Sequence, residues 1–182
     1  MELTENEKQQ LLLIARTVIE CNVKKEEIPE FKPSRGVLLE KCGAFVTIHK
    51  SGALRGCIGL VEAMKPLYQT VAEMAKAAAF DDPRFSRILP DELDKLEIEI
   101  SALSPIREIK DIKEIEIGKH GIIIQHGANR GLLLPQVATE YGWDRITFLE
   151  HTCQKAGLPK KVWRDEETVI KIFSATVFGE KS

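Results

Sequence analysis

The stretch GAFVTIHKSGALRGCIGL, residues 43–60, decides the fold of this chain because it predicts two strands joined by a tight turn. Apolar and polar side chains alternate over residues 43–49, as in a strand with one buried face. The polar, glycine-containing sequence at 50–53 is typical of a turn and leads into a second strand. The stretch therefore predicts a β-hairpin, and with it an antiparallel sheet.

The side chains of the hairpin also predict its register. Placing the apolar side chains of the two strands on the same face requires a three-residue turn. The pairs expected across the hairpin are Val46 with Ile58, Ile48 with Gly56, Thr47 with Cys57 and His49 with Arg55.

The second strand contains the chemically unusual hexapeptide LRGCIG at residues 54–59. In an extended segment Arg55 and Cys57 point to the same side, and a cation beside a cysteine favours the reactive thiolate. Gly56 and Gly59 lack Cβ atoms, so backbone or a ligand can approach closely there. The alternative is structural: Cys57 is a small buried hydrophobe, and Arg55 is paired with a nearby carboxylate.

The rest of the chain alternates between helix and strand signals. Thr4 and Glu7 have capping-box spacing and predict a first helix that ends near residues 21–22. Further helices are expected from Pro66 to Phe80, at 90–93 and at 147–157, and further strands at 96–103, 112–117, 121–125, 131–134 and 168–178. Neighbouring strands joined by short turns predict an α+β protein with a largely antiparallel sheet and flanking helices.

Composition restricts the function classes. The chain has 182 residues, 26 basic and 28 acidic, so it is long enough for one sizeable core and has a formal net charge of −2. That balance and the lack of a basic run predict no specific nucleic-acid binding. No apolar run is long enough to span a bilayer, and four cysteines without a paired spacing fit a reducing compartment. We therefore expect a cytoplasmic protein that does not bind a membrane.

Several blocks together resemble the signature of the AMMECR1 domain family. They are LRGCIG at 54–59, AFDDPRF at 79–85, EISALSP at 99–105, GLLLPQVA at 131–138 and KAGLP at 155–159, with Trp143, Asp144, Phe148 and Leu149 between the last two. The blocks follow the order of the family and extend from about Gly43 to Phe178. The resemblance implies a single domain of this type over residues 1–182.

The resemblance also implies an architecture and partners. It implies two unequal subdomains, both termini in the larger one, and the signature residues at a cleft between them. It defines neither the reaction nor the cofactor, so the cofactor is unknown. Prokaryotic members occur beside or fused to Memo-type proteins and radical S-adenosylmethionine (SAM) proteins, so a shared pathway or complex with them is expected.

Residues outside the hexapeptide extend the candidate site. Arg84 with Arg55 would hold an anionic small molecule through two guanidinium groups, although a local interaction of Arg84 with Asp81 or with a helix terminus is the structural alternative. Glu99, on the polar face of its strand, would orient Arg55 or transfer a proton, and His49 would form a cysteine–histidine pair with Cys57. Gln136, at a strand end, would contact a polar ligand.

Two classes of function remain open at this point. In the first, Cys57 acts as nucleophile or redox group in an anion-binding cleft, which would make the chain a cysteine-dependent enzyme. In the second, the signature makes rigid a groove that binds a protein partner, without catalysis. A metal site is not expected because no histidine or cysteine pair has ligand spacing.

Overall fold

The computed structural model describes residues 2–33, 36–62 and 64–180 of the chain. They divide into two compact units, the first formed by Met1–Leu103 and Thr176–Ser182 and the second by Ser104–Ala175. The cleft implied by the family resemblance stays a prediction.

The α+β class with antiparallel strands and flanking helices is confirmed. The helices are α1 (Glu5–Lys24), α2 (Leu67–Phe80), α3 (Pro135–Glu140) and α4 (Arg145–Lys155). The strands are β1 (Ala44–Lys50), β2 (Ala53–Leu60), β3 (Leu96–Leu103), β4 (Arg107–Ile109), β5 (His120–His126), β6 (Asn129–Leu133) and β7 (Val169–Gly179). The antiparallel pairs are β1 with β2 and β3, β5 with β6 and β7, and β4 with β7.

The first unit contains β1 at the centre, with β2 and β3 on its two sides. Helix α1 begins with the predicted capping box, in which Thr4 and Glu7 satisfy each other's backbone N–H groups. Helices α1 and α2 pack on one side of these strands, where Val46, Ile48 and Ile100 are fully buried. Each such side chain contributes about 2 kcal/mol through burial, so this layer holds the strands in place.

The hairpin follows the predicted register over most of its length. Val46 lies opposite Ile58, and Thr47 lies opposite Cys57. The turn is tighter than expected, because Ser51 and Gly52 both have positive φ angles and close it with two residues.

A bulge corrects one predicted pair of the hairpin. The register shifts after Ile48, so that His49 lies opposite Leu54 and Arg55 is the extra residue. The predicted pairing of His49 with Arg55 is therefore wrong. The cause is the two-residue turn, which needs one residue fewer than the three-residue turn expected from side-chain alternation.

The second unit is built on the β4, β5, β6 and β7 pairings, with α4 packed against β5 and β6. Ile122, Ile123 and Ile124 are all fully buried, as expected of a strand covered on both faces. The strand predicted at 112–117 is wrong: Ile112–Glu114 forms one turn of 3-10 helix, capped by the Asp111 side chain on the Lys113 N–H. The short strand β4 and the short helix α3 were not predicted.

No helix in the described part of the chain is both long and apolar enough to cross a membrane.

Candidate functional site

The side of the first unit's sheet that faces away from α1 and α2 carries three of the predicted catalytic side chains. Residues that alternate with the buried ones point to this side, which we call the outer face. Its members, all half-buried, are Phe45, Thr47, His49, Cys57, Glu97, Glu99 and Ser101. The strand order therefore places Cys57, Glu99 and His49 on one accessible surface.

A cross-strand row forms the centre of this face. Thr47 lies directly opposite Cys57 on one side and directly opposite Glu99 on the other. The Thr47 Oγ1 and Cys57 Sγ atoms are 3.2 Å apart, within hydrogen-bond distance for sulfur. The row thus presents a thiol, a hydroxyl and a carboxylate in sequence. His49 lies two residues beyond Thr47 on the same face of β1, opposite Leu54 of β2 and Glu97 of β3.

Arg55 is held by a buried carboxylate and by backbone oxygens. Its Nε and Nη2 atoms each donate to one oxygen of Glu92, both at 3.0 Å. Its Nη1 donates to the Ser86 backbone oxygen at 2.7 Å, and Nη2 donates also to the Arg87 backbone oxygen at 3.2 Å. Every guanidinium nitrogen has a protein partner, so the arrangement matches the structural alternative for Arg55.

Glu92 forms ion pairs with two cationic side chains, Arg55 and Lys50, at this end of the hairpin. It is buried, and its carboxylate also accepts from Lys50 Nζ at 2.8 Å and from the Leu89 N–H at 2.9 Å. The hydrogen bonds from Arg55 are the main reason that the pKa of Glu92 is lowered to about 2, against the opposing effect of burial. Glu92 is ionised throughout the physiological range.

Arg84 reaches Cys57 through the backbone. Its Nη2 donates to the Cys57 backbone oxygen at 3.1 Å, while Nε and Nη2 donate to Asp82 at 3.0 and 2.8 Å. Asp82 also accepts the Cys57 N–H at 2.9 Å. The Arg84 side chain is half-exposed. The partner of Arg84 is thus Asp82 rather than the Asp81 considered from sequence.

Asp82 is a buried anion that depends on these donors. The hydrogen bonds from Arg84 hold the pKa of this carboxyl well below its usual range, and the Cys57 N–H acts in the same direction against burial. Asp82 and Arg84 therefore form a permanent ion pair beside the backbone of Cys57.

Other parts of the protein pack closely against the two glycines of the hexapeptide. A Cβ added to Gly56 would lie 2.1 Å from the Ala78 backbone oxygen of α2, and one added to Gly59 would lie 2.0 Å from the Phe45 ring. Both contacts are far inside van der Waals distance. The missing side chains thus allow α2 and Phe45 to pack against β2.

Gln136 lies in the second unit, at the start of α3, with its side chain exposed. Its backbone oxygen accepts a hydrogen bond from the Thr139 hydroxyl at 2.7 Å. Its contact with a ligand stays a prediction.

Sequence reasoning placed Thr47 opposite Cys57 but did not find Asp82 and Glu92 as members of this region. Asp82 had a signal, since it stands within the AFDDPRF block, and Glu92 stands in a predicted short helix after Pro90. Neither position reveals that its carboxylate folds back onto the hairpin.

The arrangement places a thiol, a hydroxyl and a carboxylate on neighbouring strands, and each of these groups can donate or accept a proton. Within the described residues, no group of three or more histidine, cysteine, aspartate and glutamate side chains is placed to hold a metal ion.

Comparison with known proteins gives the family. The AMMECR1 family model matches residues 12–178. The chain belongs to the AMMECR1 family. A protein of Methanopyrus kandleri is 43% identical over 189 residues, covering 99% of this chain and 91% of that protein. A protein of Aquifex aeolicus is 48% identical over 146 residues, covering 76% and 75%. The crystal structure of an uncharacterized Pyrococcus horikoshii protein is similar with a TM-score of 0.81 and 38% identity, covering 100% of this chain and 95% of that one.

Proposed function

We propose that the outer face of this AMMECR1 protein is a small-molecule site in which Cys57 is the reacting group. The observation that carries the proposal is the row Cys57–Thr47–Glu99, with sulfur and hydroxyl 3.2 Å apart. A nucleophilic thiol needs a neighbour that removes its proton, and Glu99 and His49 are two titratable groups on the same face.

In this function each residue has a defined role. The Cys57 sulfur forms a bond to an electrophilic atom of the ligand, which releases its leaving group together with the bonding electron pair. The Thr47 hydroxyl contacts the sulfur, and Glu99 and His49 on the same face are the groups that accept the thiol proton. Arg84 is the guanidinium available to an anionic group of the ligand, because its side chain stays half-exposed while it pairs with Asp82. Arg55 is bound to Glu92 and to two backbone oxygens, so it stabilises the hairpin rather than contacting the ligand.

The test is the reactivity of each cysteine in the folded protein. Alkylation by iodoacetamide is followed by peptide mass spectrometry between pH 6 and 9. We expect Cys57 to react faster than Cys21 at every pH, and Glu99→Gln to slow Cys57 without changing Cys21. Cys42 serves as the unreactive control, because burial raises its pKa to about 11. Equal rates for Cys57 and Cys21, together with no effect of Glu99→Gln, would contradict the proposal.

A second candidate is a protein-binding module without catalysis. It is favoured by the use of the signature residues in packing: Arg55 is bound to Glu92, Gly56 contacts α2, and Gly59 contacts Phe45. The family resemblance supplies the partners, namely Memo-type and radical SAM proteins.

The two candidates separate in a binding measurement with the Memo-type and radical SAM proteins of the same organism. Calorimetric titration compares the wild-type chain with Cys57→Ser, which keeps the size of the side chain and removes the sulfur. If the wild type and Cys57→Ser bind a partner equally well, the result supports the protein-binding module. If neither form of the chain binds a partner and Cys57 is reactive, the small-molecule site is the better account.

A further inference from the structure

The ion pair of Asp82 and Arg84 lies against the residue that the proposed function makes reactive. We propose that Asp82 is a positioning residue for the Cys57 thiol: with Arg84 it fixes the backbone of Cys57 and sets the electrostatic environment of the sulfur. This inference rests on the proposed function, since it takes Cys57 as the reacting group. Asp82 itself touches the backbone of Cys57 and not the sulfur.

Strand β2, which carries Cys57, lies at the edge of the sheet. β2 is the outermost strand, with β1 as its neighbour on one side. The Asp82 carboxylate accepts the N–H of Cys57 at 2.9 Å, and Arg84 donates to its C=O at 3.1 Å. One acceptor and one donor thus bind the two backbone groups that a further strand would otherwise bind. The main chain at Cys57 therefore lies between β1 on one side and the Asp82–Arg84 pair on the other.

Asp82 is itself buried and firmly bound. Only 4% of the residue is exposed, and its carboxylate accepts four hydrogen bonds, one from Cys57 and three from Arg84. The segment after it is anchored by the Phe85 N–H on the Asp82 backbone oxygen and by the Ile88 N–H on the Ala79 backbone oxygen. A buried carboxylate held by this many hydrogen bonds fixes the position of the Cys57 N–H that it accepts.

The charged groups around Cys57 also support the positioning role of Asp82. Charged and titratable groups face Cys57 from three elements: His49 on β1, Glu97 and Glu99 on β3, and Asp82 with Arg84 in the segment after α2. The Arg55 charge is balanced by Glu92. Because Asp82 and Arg84 also balance each other, removing either one leaves the opposite charge uncompensated next to the thiol.

This last point gives a test in which charge and stability act differently. Asp82→Asn leaves the positive charge of Arg84, which favours the thiolate. Arg84→Gln leaves the negative charge of Asp82, which disfavours it. We expect the pH midpoint of Cys57 alkylation by iodoacetamide to fall by about half a pH unit in the first variant and to rise by a similar amount in the second. At a fixed pH below the midpoint this is about a threefold faster and about a threefold slower reaction, a size typical of a partly solvated charge a few ångströms away.

The matched control is Glu180→Gln. Arg16 and Glu180 form another two-pronged arginine–carboxylate pair in the first unit, with Nε to Oε1 at 2.8 Å, but their contacts are with Leu93, Leu96 and Ile98. Its loss should destabilise the unit without moving the alkylation midpoint of Cys57. Cys42 and Cys153, exposed by 1% and 0%, report any general opening in every variant.

Shifts of opposite sign in the two variants support the positioning role. Shifts of the same sign, or midpoints equal to that of Glu180→Gln, overturn it, because a purely structural pair would act equally from either side. If Asp82→Asn does not fold, Arg84→Lys is compared with Arg84→Gln: the lysine keeps the charge, and its midpoint should stay near that of the wild type. A failure of the proposed function looks different, since Cys57 would then react no faster than Cys21 in the unaltered protein.

Discussion

Glutamine at position 92 is the most informative single change for stability, because Glu92 joins β1, β2 and the segment that follows α2. Its carboxylate holds Arg55 through two hydrogen bonds and also binds Lys50 and the Leu89 N–H. Glutamine has nearly the same shape but carries no charge and only one acceptor oxygen. Glu92→Gln therefore removes the ion pairs and leaves the packing in place.

The magnitude follows from the pKa of Glu92. A fall from the ordinary value of 4.5 to about 2 corresponds to about 3 kcal/mol of stability that depends on the ionised carboxylate. Because this pKa is lowered by folding, the contribution is complete above pH 4.5. It is lost as the pH falls from 4.5 towards 2. We expect the variant to be about 3 kcal/mol less stable than the wild type at pH 7 and the difference to shrink across that window.

The assay is urea denaturation followed by far-ultraviolet circular dichroism at pH values from 7 to 3. The quantity of interest is the difference in free energy of unfolding between wild type and variant, in which the contribution of Asp82 cancels because both proteins contain it. Glu73→Gln is the control, since Glu73 forms an exposed pair with Lys65 and should change stability by less than about 1 kcal/mol. A difference that stays constant from pH 7 to pH 3, or one no larger than that of the control, would refute the reasoning.

Two further predictions concern packing and protonation. Gly56→Ala should lower the free energy of unfolding by more than about 2 kcal/mol, and by more than Gly59→Ala does. The reason is that a Cβ at position 56 meets the backbone of α2, whereas a Cβ at position 59 meets the Phe45 ring, which can move. Thermal melts of both variants measure the two losses, and equal losses would contradict the prediction. His120 accepts the Glu116 N–H through Nδ1 and is buried, so desolvation lowers its pKa; the stability it contributes is complete above pH 6.5 and is lost as the pH falls through its lowered pKa. An NMR titration that places its midpoint at or above 6.5 would show that this account is wrong.

The alternation of side chains was sufficient for most of the fold. The strands at 96–103 and 168–178, the capping box at Thr4 and the pairing of Thr47 with Cys57 were all predicted and confirmed. These features depend on residues close in sequence or on a single buried face, and such information is local. Ile112–Glu114 shows the limit, because alternation over so short a segment does not distinguish a strand from a capped turn.

The structure brings only some of the predicted site residues onto one face, and Arg55 shows why. Simple alternation predicted that Arg55 pairs with His49 across the hairpin, but the bulge after Ile48 removes Arg55 from that pairing, and Glu92 binds its guanidinium. A bulge depends on turn geometry, and Glu92 lies 37 residues away along the chain. Neither is written in the hexapeptide.

The sequence by itself determined the family, the α+β class and the hairpin that presents Cys57, since each of these follows from residue types at short spacing. The tertiary structure alone decided how the charges are used. It paired Arg55 with Glu92 and Arg84 with Asp82, and it placed Glu99 across β1 from Cys57. The physical reason is that a buried charge must find a partner in three dimensions, and the partner is chosen by which segments pack together rather than by which residues are neighbours in the chain.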